Sequence, residues 1–359
     1  MGDELVEFKI GKVVCGKWKV MEKLGAGGCG AVYEVAEPNR LRYRAALKVE
    51  SNNIEDGGVL KLEAEVLTKL ASRKKCIRLL NLGKRKSYSF IVMTLCGPDL
   101  MFLKRVDTDK KSMFKHIDNR FSPETAVRIG VHALYAIKQL HEIGYVHRDV
   151  KPGNMVIGVS GYDTRVIFMI DYGMVRSFAT LGPGGKWQLR KARNKVLLRG
   201  TLRYCSLQVH ERREQGRVDD LWSLMYMLVE LLVGLPWSKE TEEAPLKDIK
   251  QSTTCDKLFD KCPQEFNKIT DHLKELKYEN RPNYRLIYDC FIESMKRMKV
   301  TFSMPYDWEE KVDTADFSAL SISEGRNDKN NKKPTPEEYE WKCYPTTDPK
   351  AFAEKVINL

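Results

Sequence analysis

The 359-residue sequence lacks the usual marks of a secreted or membrane protein. Its nine cysteines form no C-x-x-C pair and no metal-type spacing. An odd number of scattered thiols fits a reducing compartment better than a disulfide framework, so residence in the cytoplasm, with the nucleus as a second compartment, is expected. Asp3, Glu4 and Glu7 stand where a secretory signal needs a basic and then an apolar stretch, so no signal is expected. Gly2 is followed at position 6 by Val6 rather than Ser or Thr, which leaves myristoylation unsupported. The longest apolar stretch, 221–233, contains Glu230 and is too short to span a bilayer. It predicts a buried helix, and no membrane partner. No internal repeat is present. Acidic residues are also in deficit, 49 against 61 Lys and Arg, for a formal charge of +12.

What the chain does hold is concentrated in short motifs. His147-Arg148-Asp149-Val150-Lys151-Pro152-Gly153-Asn154 is followed, seventeen residues after its Asn, by Asp171-Tyr172-Gly173. These residue types suit phosphoryl transfer. Asp149 can orient an attacking hydroxyl and accept its proton, and Lys151 can neutralise charge on the moving phosphoryl group. Asn154 and Asp171 can hold Mg²⁺ against nucleotide phosphates.

Upstream, Gly25-Ala26-Gly27-Gly28-Cys29-Gly30 has the spacing G-x-G-x-x-G. A dinucleotide fold shares that spacing, and Glu50 even falls twenty residues beyond Gly30, where a ribose-binding acid would sit. A dinucleotide site, however, needs a helix opening at the glycines. Here Ala31-Val32-Tyr33-Glu34-Val35 follows, β-prone and alternating, which predicts a strand and makes the glycines a flap over phosphates between two strands. The next predicted strand, residues 45–49, carries a single Lys48 in an apolar run. Helical periodicity over residues 60–70 then offers two acids, Glu63 and Glu65, as partners for it. Another helix is predicted over residues 125–143, with Gly144 placed to stop it.

These linked motifs resemble a protein kinase, with one departure: no Ala-Pro-Glu closes the activation segment. In its place Arg199-Gly200-Thr201-Leu202-Arg203-Tyr204-Cys205-Ser206 precedes His210 and the run Gly216-Arg217-Val218-Asp219-Asp220-Leu221-Trp222. That pattern, with Leu235-Pro236-Trp237 and Asp307-Trp308-Glu309, is similar to the casein kinase I superfamily, and its tau-tubulin kinase branch looks closest. The resemblance covers residues 15 to 310 and implies an α+β, bilobal protein-kinase-like fold, with a small β-rich N-lobe and a larger helical C-lobe. It implies an N-terminal extension at 1–17, a kinase domain at 18–310 (N-lobe 18–93, hinge 94–98, C-lobe 99–310) and a polar extension at 311–359.

The same resemblance implies an ATP- and Mg²⁺-dependent serine/threonine protein kinase, and assigns roles. Leu24, Gly25, Ala26, Gly27, Gly30, Val32 and Ala46 would line the nucleotide. Lys48 would contact the α- and β-phosphates, with Glu63 favoured as its partner and Glu65 the alternative. Met93 would limit the adenine pocket, whose edge the backbone of Leu95 and Cys96 would bond. Asp149 and Lys151 would be catalytic, and Asn154 and Asp171 would hold metal. Asp220 would accept hydrogen bonds from the catalytic-loop backbone, and Thr201 would contact Asp149 and Lys151. Tyr172 replaces the usual Phe, Thr94 replaces an acidic hinge residue, and Cys29 occupies the tip of the glycine loop. Arg281 resembles the arginine that pairs with the missing Ala-Pro-Glu glutamate, and the sequence offers it no partner. A pseudokinase scaffold binding acidic partners is the rival; such proteins commonly lose Lys48, Asp149 or Asp171, and all three are kept here.

The basic charge is uneven. Between Tyr172 and Ser206 stand Arg176, Lys186, Arg190, Lys191, Arg193, Lys195, Arg199 and Arg203, with no Asp or Glu. Such a field predicts acidic or pre-phosphorylated protein substrates, and by resemblance Arg148, Arg176 and Arg203 form the anion site. Cytoskeletal substrates follow from the resemblance alone. Trp187 is the one aromatic in the basic stretch from 186 to 203, so no nucleic-acid partner is expected. In the polar extension, residues 327–334 predict flexibility, and Tyr339, Trp341 and Tyr344 predict partial packing against the larger lobe.

Overall fold

The computed structural model describes residues 6–27, 30–53, 58–105, 120–309, 345–357 and 359. The expectations for Gly28, Cys29, residues 311–344 and the aromatics Tyr339, Trp341 and Tyr344 lie outside them. The chain divides into two compact units. Among the described residues, the first holds residues 6–97 and Ile157–Gly173, and the second holds the remainder.

In the first unit, β1 (Val13–Val14), β2 (Trp18–Gly27), β3 (Gly30–Glu37), β4 (Arg40–Ser51), β5 (Leu79–Lys84) and β6 (Tyr88–Thr94) form one antiparallel sheet, ordered β1-β2-β3-β4-β6-β5. Helix α1 (Leu60–Leu70) follows β4 in sequence. Side chains alternate across a strand with period two, and the sequence uses both faces. Tyr33, Val35, Leu47, Val49, Phe90 and Val92 point to one side and build the apolar core with Trp18 and Val20. The intervening positions Val32, Ala46, Lys48 and Met93 therefore share the other face, with Ala46 opposite Met93 and Val32 opposite Lys48. Glu50, a ribose-type acid in the rejected dinucleotide reading, instead accepts the amides of Val59 (3.0 Å) and Leu60 (3.1 Å) at the start of α1. A carboxylate there satisfies amides that have no partner within the helix.

Strand β7 (Cys96–Asp99) leads out of the first unit, and α2 (Leu100–Arg105) opens the second. The long helix α3 spans Pro123–His141, two residues earlier than its apolar periodicity predicts. Ser122 sets that start: its side chain accepts the Thr125 amide, and Pro123 takes the first helical position, where no amide is needed. Next come β8 (Tyr145–Val146), β9 (Met155–Gly158) and β10 (Ile167–Met169), the last lying in the first unit. Short strands β11 (Arg176–Ser177), β12 (Ala179–Leu181) and β13 (Trp187–Leu189) follow. Then come α4 (Leu207–His210), α5 (Arg217–Leu232), α6 (Glu243–Ser252), α7 (Cys255–Phe259), α8 (Glu265–Glu275) and α9 (Tyr284–Met298). The apolar stretch at 221–233 is the buried body of α5. No helix among the described residues is long and apolar enough to cross a membrane.

Residues 345–357 and 359, with helix α10 (Pro349–Ala353), belong to the second unit. Phe352 stacks on Tyr288 at 4.4 Å, Tyr288 donates to the Thr347 carbonyl (2.8 Å), and Thr346 Oγ1 meets His132 Nδ1 (2.7 Å). Ile357 is fully buried beside Val146, Phe178 and Ala179. Among the described residues of the extension, Phe352 and Ile357 carry this packing. Here too Arg281 finds its partner. It pairs with the buried Glu142 carboxylate and donates to the Ile357 carbonyl (2.7 Å).

Candidate active site

The residues expected to act on a nucleotide and a hydroxyl fall into one constellation in each unit. In the first, Lys48 Nζ donates to Glu63 Oε2 (2.7 Å) and to Asp171 Oδ1 (3.0 Å). Helical geometry selects Glu63 over Glu65. Leu60, Glu63, Val66, Leu67 and Leu70 share the buried face of α1, whereas Glu65 points outward and pairs with Lys69. Burial disfavours the charged Lys48, but the two carboxylates outweigh it and the lysine is held cationic. Asp171 adopts φ +64°, the left-handed region. Its neighbour Tyr172 is buried, and its phenol donates to the Met169 carbonyl (2.9 Å), which is how the chain accommodates a hydroxyl where a Phe is usual.

Around the same lysine, Ala46, Leu95 and Val159 form a small buried cluster, with Val32 and Met93 packed against it. Four of these five are sequence-predicted nucleotide residues; Val159 is new. Its only sequence signal is an apolar side chain soon after Asn154. The Cys96 thiol is pushed up to about 12, by burial and then by Asp163, so it is protonated at neutral pH. Thr94 accepts the Arg78 amide with its hydroxyl (3.0 Å), a backbone-holding contact. Leu24, Gly25 and Ala26 lie on the exposed end of β2. Gly30 is required by geometry: at φ +137° any Cβ would lie 1.9 Å from the Val49 carbonyl oxygen.

In the second unit the catalytic-loop residues form a closed network. Asp149 Oδ1 accepts the amide (2.9 Å) and hydroxyl (2.7 Å) of Thr201, and Oδ2 accepts Lys151 Nζ (2.7 Å) and Asn154 Nδ2 (3.2 Å). Lys151 also reaches the Thr201 hydroxyl (3.2 Å), and Asn154 Nδ2 donates to the Asp149 carbonyl (2.8 Å). Asp220, at the start of α5, accepts the amides of His147 (2.7 Å) and Arg148 (2.8 Å), and His141 Nε2 lies 2.9 Å from it. Asp220 is held below the usual carboxylate range: burial pushes it up, but the hydrogen bond and charge of His141 more than offset this. These contacts support Arg148 in its left-handed conformation, φ +69°.

The basic stretch is partly neutralised by an acid that lies after it in sequence. Glu214 pairs with Arg176 (3.0 Å) and, through both oxygens, with Arg193. Burial of Arg148, followed by the charges of Arg176, Arg193 and Arg199, lowers its pKa to about 10. Arg203, grouped with Arg148 and Arg176 by resemblance, donates to the Ser238 carbonyl (2.6 Å), while Arg193 and Arg199 are the cations coupled to Arg148 alongside Arg176.

Among the described residues no group of three or more His, Cys, Asp or Glu could hold a metal by itself.

The family described as protein kinase domain matches residues 18–297. A Caenorhabditis elegans protein named as a serine/threonine-protein kinase is 36% identical over 310 residues, covering 86% of each chain. A second C. elegans protein, named an inactive tau-tubulin kinase, is 35% identical over 258 residues, 70% of this chain and 87% of that one. A casein kinase I homolog of Schizosaccharomyces pombe is 30% identical over 303 residues, 81% of this chain and 65% of that one.

Proposed function

The chain belongs to the protein kinase family, as a serine/threonine protein kinase of the casein kinase I superfamily near its tau-tubulin kinase branch, and from that premise we propose how its residues act. Family membership implies ATP, typically with Mg²⁺. Asp149 orients the substrate hydroxyl and accepts its proton, and Lys151 steadies the transferring phosphoryl group. Lys48, fixed by Glu63, holds the nucleotide phosphates, while Val32, Ala46, Met93, Leu95 and Val159 offer apolar surface to the base. Asn154 and Asp171 are the residues that would hold Mg²⁺, whose positive charge would be set against the nucleotide phosphates. Most of the catalytic advantage in this chemistry comes from positioning and preorganised charge. The observation carrying the reading is the Asp149 network, in which every donor is a group the reaction uses or one that fixes such a group.

We extend the proposal to substrate choice. Arg148, Arg176, Arg193 and Arg199 outnumber Glu214 among the charges coupled at this place, which favours an acidic or pre-phosphorylated Ser/Thr protein. Cytoskeletal targets are proposed because one relative is named a tau-tubulin kinase. We place the kinase domain at 18–310 and the enzyme in the cytoplasm, with the nucleus as a second compartment. That same relative is named inactive, which keeps a scaffold role as the rival reading.

The test is transfer of the γ-phosphate from Mg-ATP to casein and to matched primed and unprimed Ser peptides. Asp149→Asn is expected to lower turnover by about 10²–10⁴-fold, and Arg176→Gln to erase any preference for the primed peptide. Mg-ATP binding without transfer by the unaltered protein would make it a scaffold.

A further inference from the structure

The segment from Thr201 to α4 lacks an Ala-Pro-Glu carboxylate to fix it, yet its backbone is held at three carbonyls. Trp237 Nε1 donates to the Arg203 carbonyl (2.8 Å). The Lys250 ammonium donates to those of Leu202 (2.8 Å) and Cys205 (2.6 Å). Lys250 sits in the last turn of α6 and is 3% exposed. The rings of Tyr226 and Trp237 lie 5.1 and 5.3 Å from its nitrogen, and His210 Nε2 lies at 3.3 Å. Among the described residues no carboxylate makes an ion pair with it. A buried cation without a counter-charge is costly, and this one is compensated by carbonyl dipoles and aromatic faces. Those dipoles belong to a segment whose first residue, Thr201, bonds Asp149 through its amide and hydroxyl.

We propose that Lys250 is a positioning residue for the protein substrate. Its ammonium clamps the backbone on both sides of residues 203–204 and so holds the surface that receives the chain around the target hydroxyl, in place of the missing glutamate. The inference rests on the reading of Asp149 as the group that orients that hydroxyl.

The clamp has a pH signature. Burial lowers Lys250 to about 8. The groups around it titrate elsewhere. Burial pushes the Cys205 thiol up to about 11 and raises the Tyr226 phenol. Burial, then the charge of Lys250, lowers His210 to about 4, with Glu243 and Lys247 beyond it, and burial raises Asp219 on α5 to about 6. A rise through pH 8 therefore removes the charge of Lys250 and leaves its neighbours unchanged.

The experiment measures initial rates with an acidic Ser peptide and Mg-ATP for the unaltered full chain, Lys250→Met and Lys250→Arg. Lys250→Met is expected to raise the peptide KM about tenfold, the scale of one charge-assisted hydrogen bond, with the KM for ATP within about twofold. Lys250→Arg is expected to restore part of the loss. In the unaltered enzyme the peptide KM should climb as pH passes about 8 while the KM for ATP stays level. If Lys250→Met does not fold, that profile decides: a rising peptide KM supports the clamp and a flat one overturns it. An unchanged peptide KM in Lys250→Met, or peptide and ATP constants moving together, also overturns it and leaves the kinase assignment intact. Absence of transfer by the unaltered enzyme would overturn both.

Discussion

Glu142 is the most exposed point of failure in the second unit. Its side chain is fully buried and holds two cations and two backbone amides among the described residues. Arg281 and Lys138 (2.8 Å) meet Oε1, and the amides of Val356 (2.9 Å) and Ile357 (3.0 Å) meet Oε2. Burial alone would raise its pKa, but the Arg281 hydrogen bond and the Lys138 ion pair prevail and bring it to about 2, from an ordinary 4.5. That difference corresponds to about 3 kcal/mol favouring the native ionised form at neutral pH. Because the folded value is depressed, the stabilisation is complete above pH 4.5 and is lost as pH falls through about 2. Glu142→Gln keeps the shape but leaves two cations without their carboxylate, a loss of about 3–5 kcal/mol. Thermal unfolding at neutral pH should then fall by about 5–10 °C. Exchange of the Val356 and Ile357 amides should quicken by about 10²-fold or more, read by hydrogen-exchange mass spectrometry. Arg281→Met alone should be similarly damaging, and the double variant should cost clearly less than the sum, because Arg281 then no longer needs the carboxylate and Lys138 alone is left without it. Strict additivity, or a melting temperature within about 1 °C of the unaltered protein, would refute the argument.

Two further outcomes follow from the catalytic unit. Gly200 has φ +102°, and a Cβ there would stand 2.2 Å from the Arg148 carbonyl oxygen, so Gly200→Ala should abolish most turnover while the KM for ATP changes little. The activation segment is held by its own packing: Phe178 is buried under the Arg217 guanidinium (4.6 Å), and Ser177 donates to the Ala179 carbonyl (2.8 Å). The purified enzyme should therefore be constitutively active, and a manyfold rise in rate after treatment with an upstream kinase would contradict this.

What was legible in the sequence was what the chain keeps close together or repeats with a period. Asp149, Lys151 and Asn154 stand within six positions, so their network could be anticipated from one motif. The helical period of α1 offered Glu63 and Glu65 together, and the choice of Glu63 came from resemblance; the two-residue period of β4 places Ala46 and Lys48 on one face. Glu142 was invisible for the opposite reason: its partner Arg281 lies 139 positions away, and its amide donors 214 and 215. Glu214 escaped because charge was counted along the chain, while folding brings that acid back among the arginines. Arg203 was grouped with Arg148 and Arg176 by resemblance alone, and its contact with the Ser238 carbonyl, 35 positions away, had no signal in the sequence. Lys250 carried no signal, since a lysine in a polar helix reads as surface until its neighbours are known.

The start of α3 depends on residues beyond the family match, which ends at 297. Asp307 accepts the Ser122 amide (2.6 Å) and the hydroxyls of Ser122 and Thr125 (both 2.8 Å), while Arg128 donates to the carbonyls of Met304 and Pro305 and stacks on Tyr306. Trp308 stacks on Tyr306 and meets Phe121 edge-on. A recombinant gene trimmed to the homology boundary would delete this plug. It would uncover an aromatic patch and strand an arginine, the composition of inclusion bodies rather than of a soluble sample. Expression and crystallisation work should therefore carry the reading frame beyond Trp308 and retain Leu359, whose carbonyl accepts from Arg217 (3.2 Å).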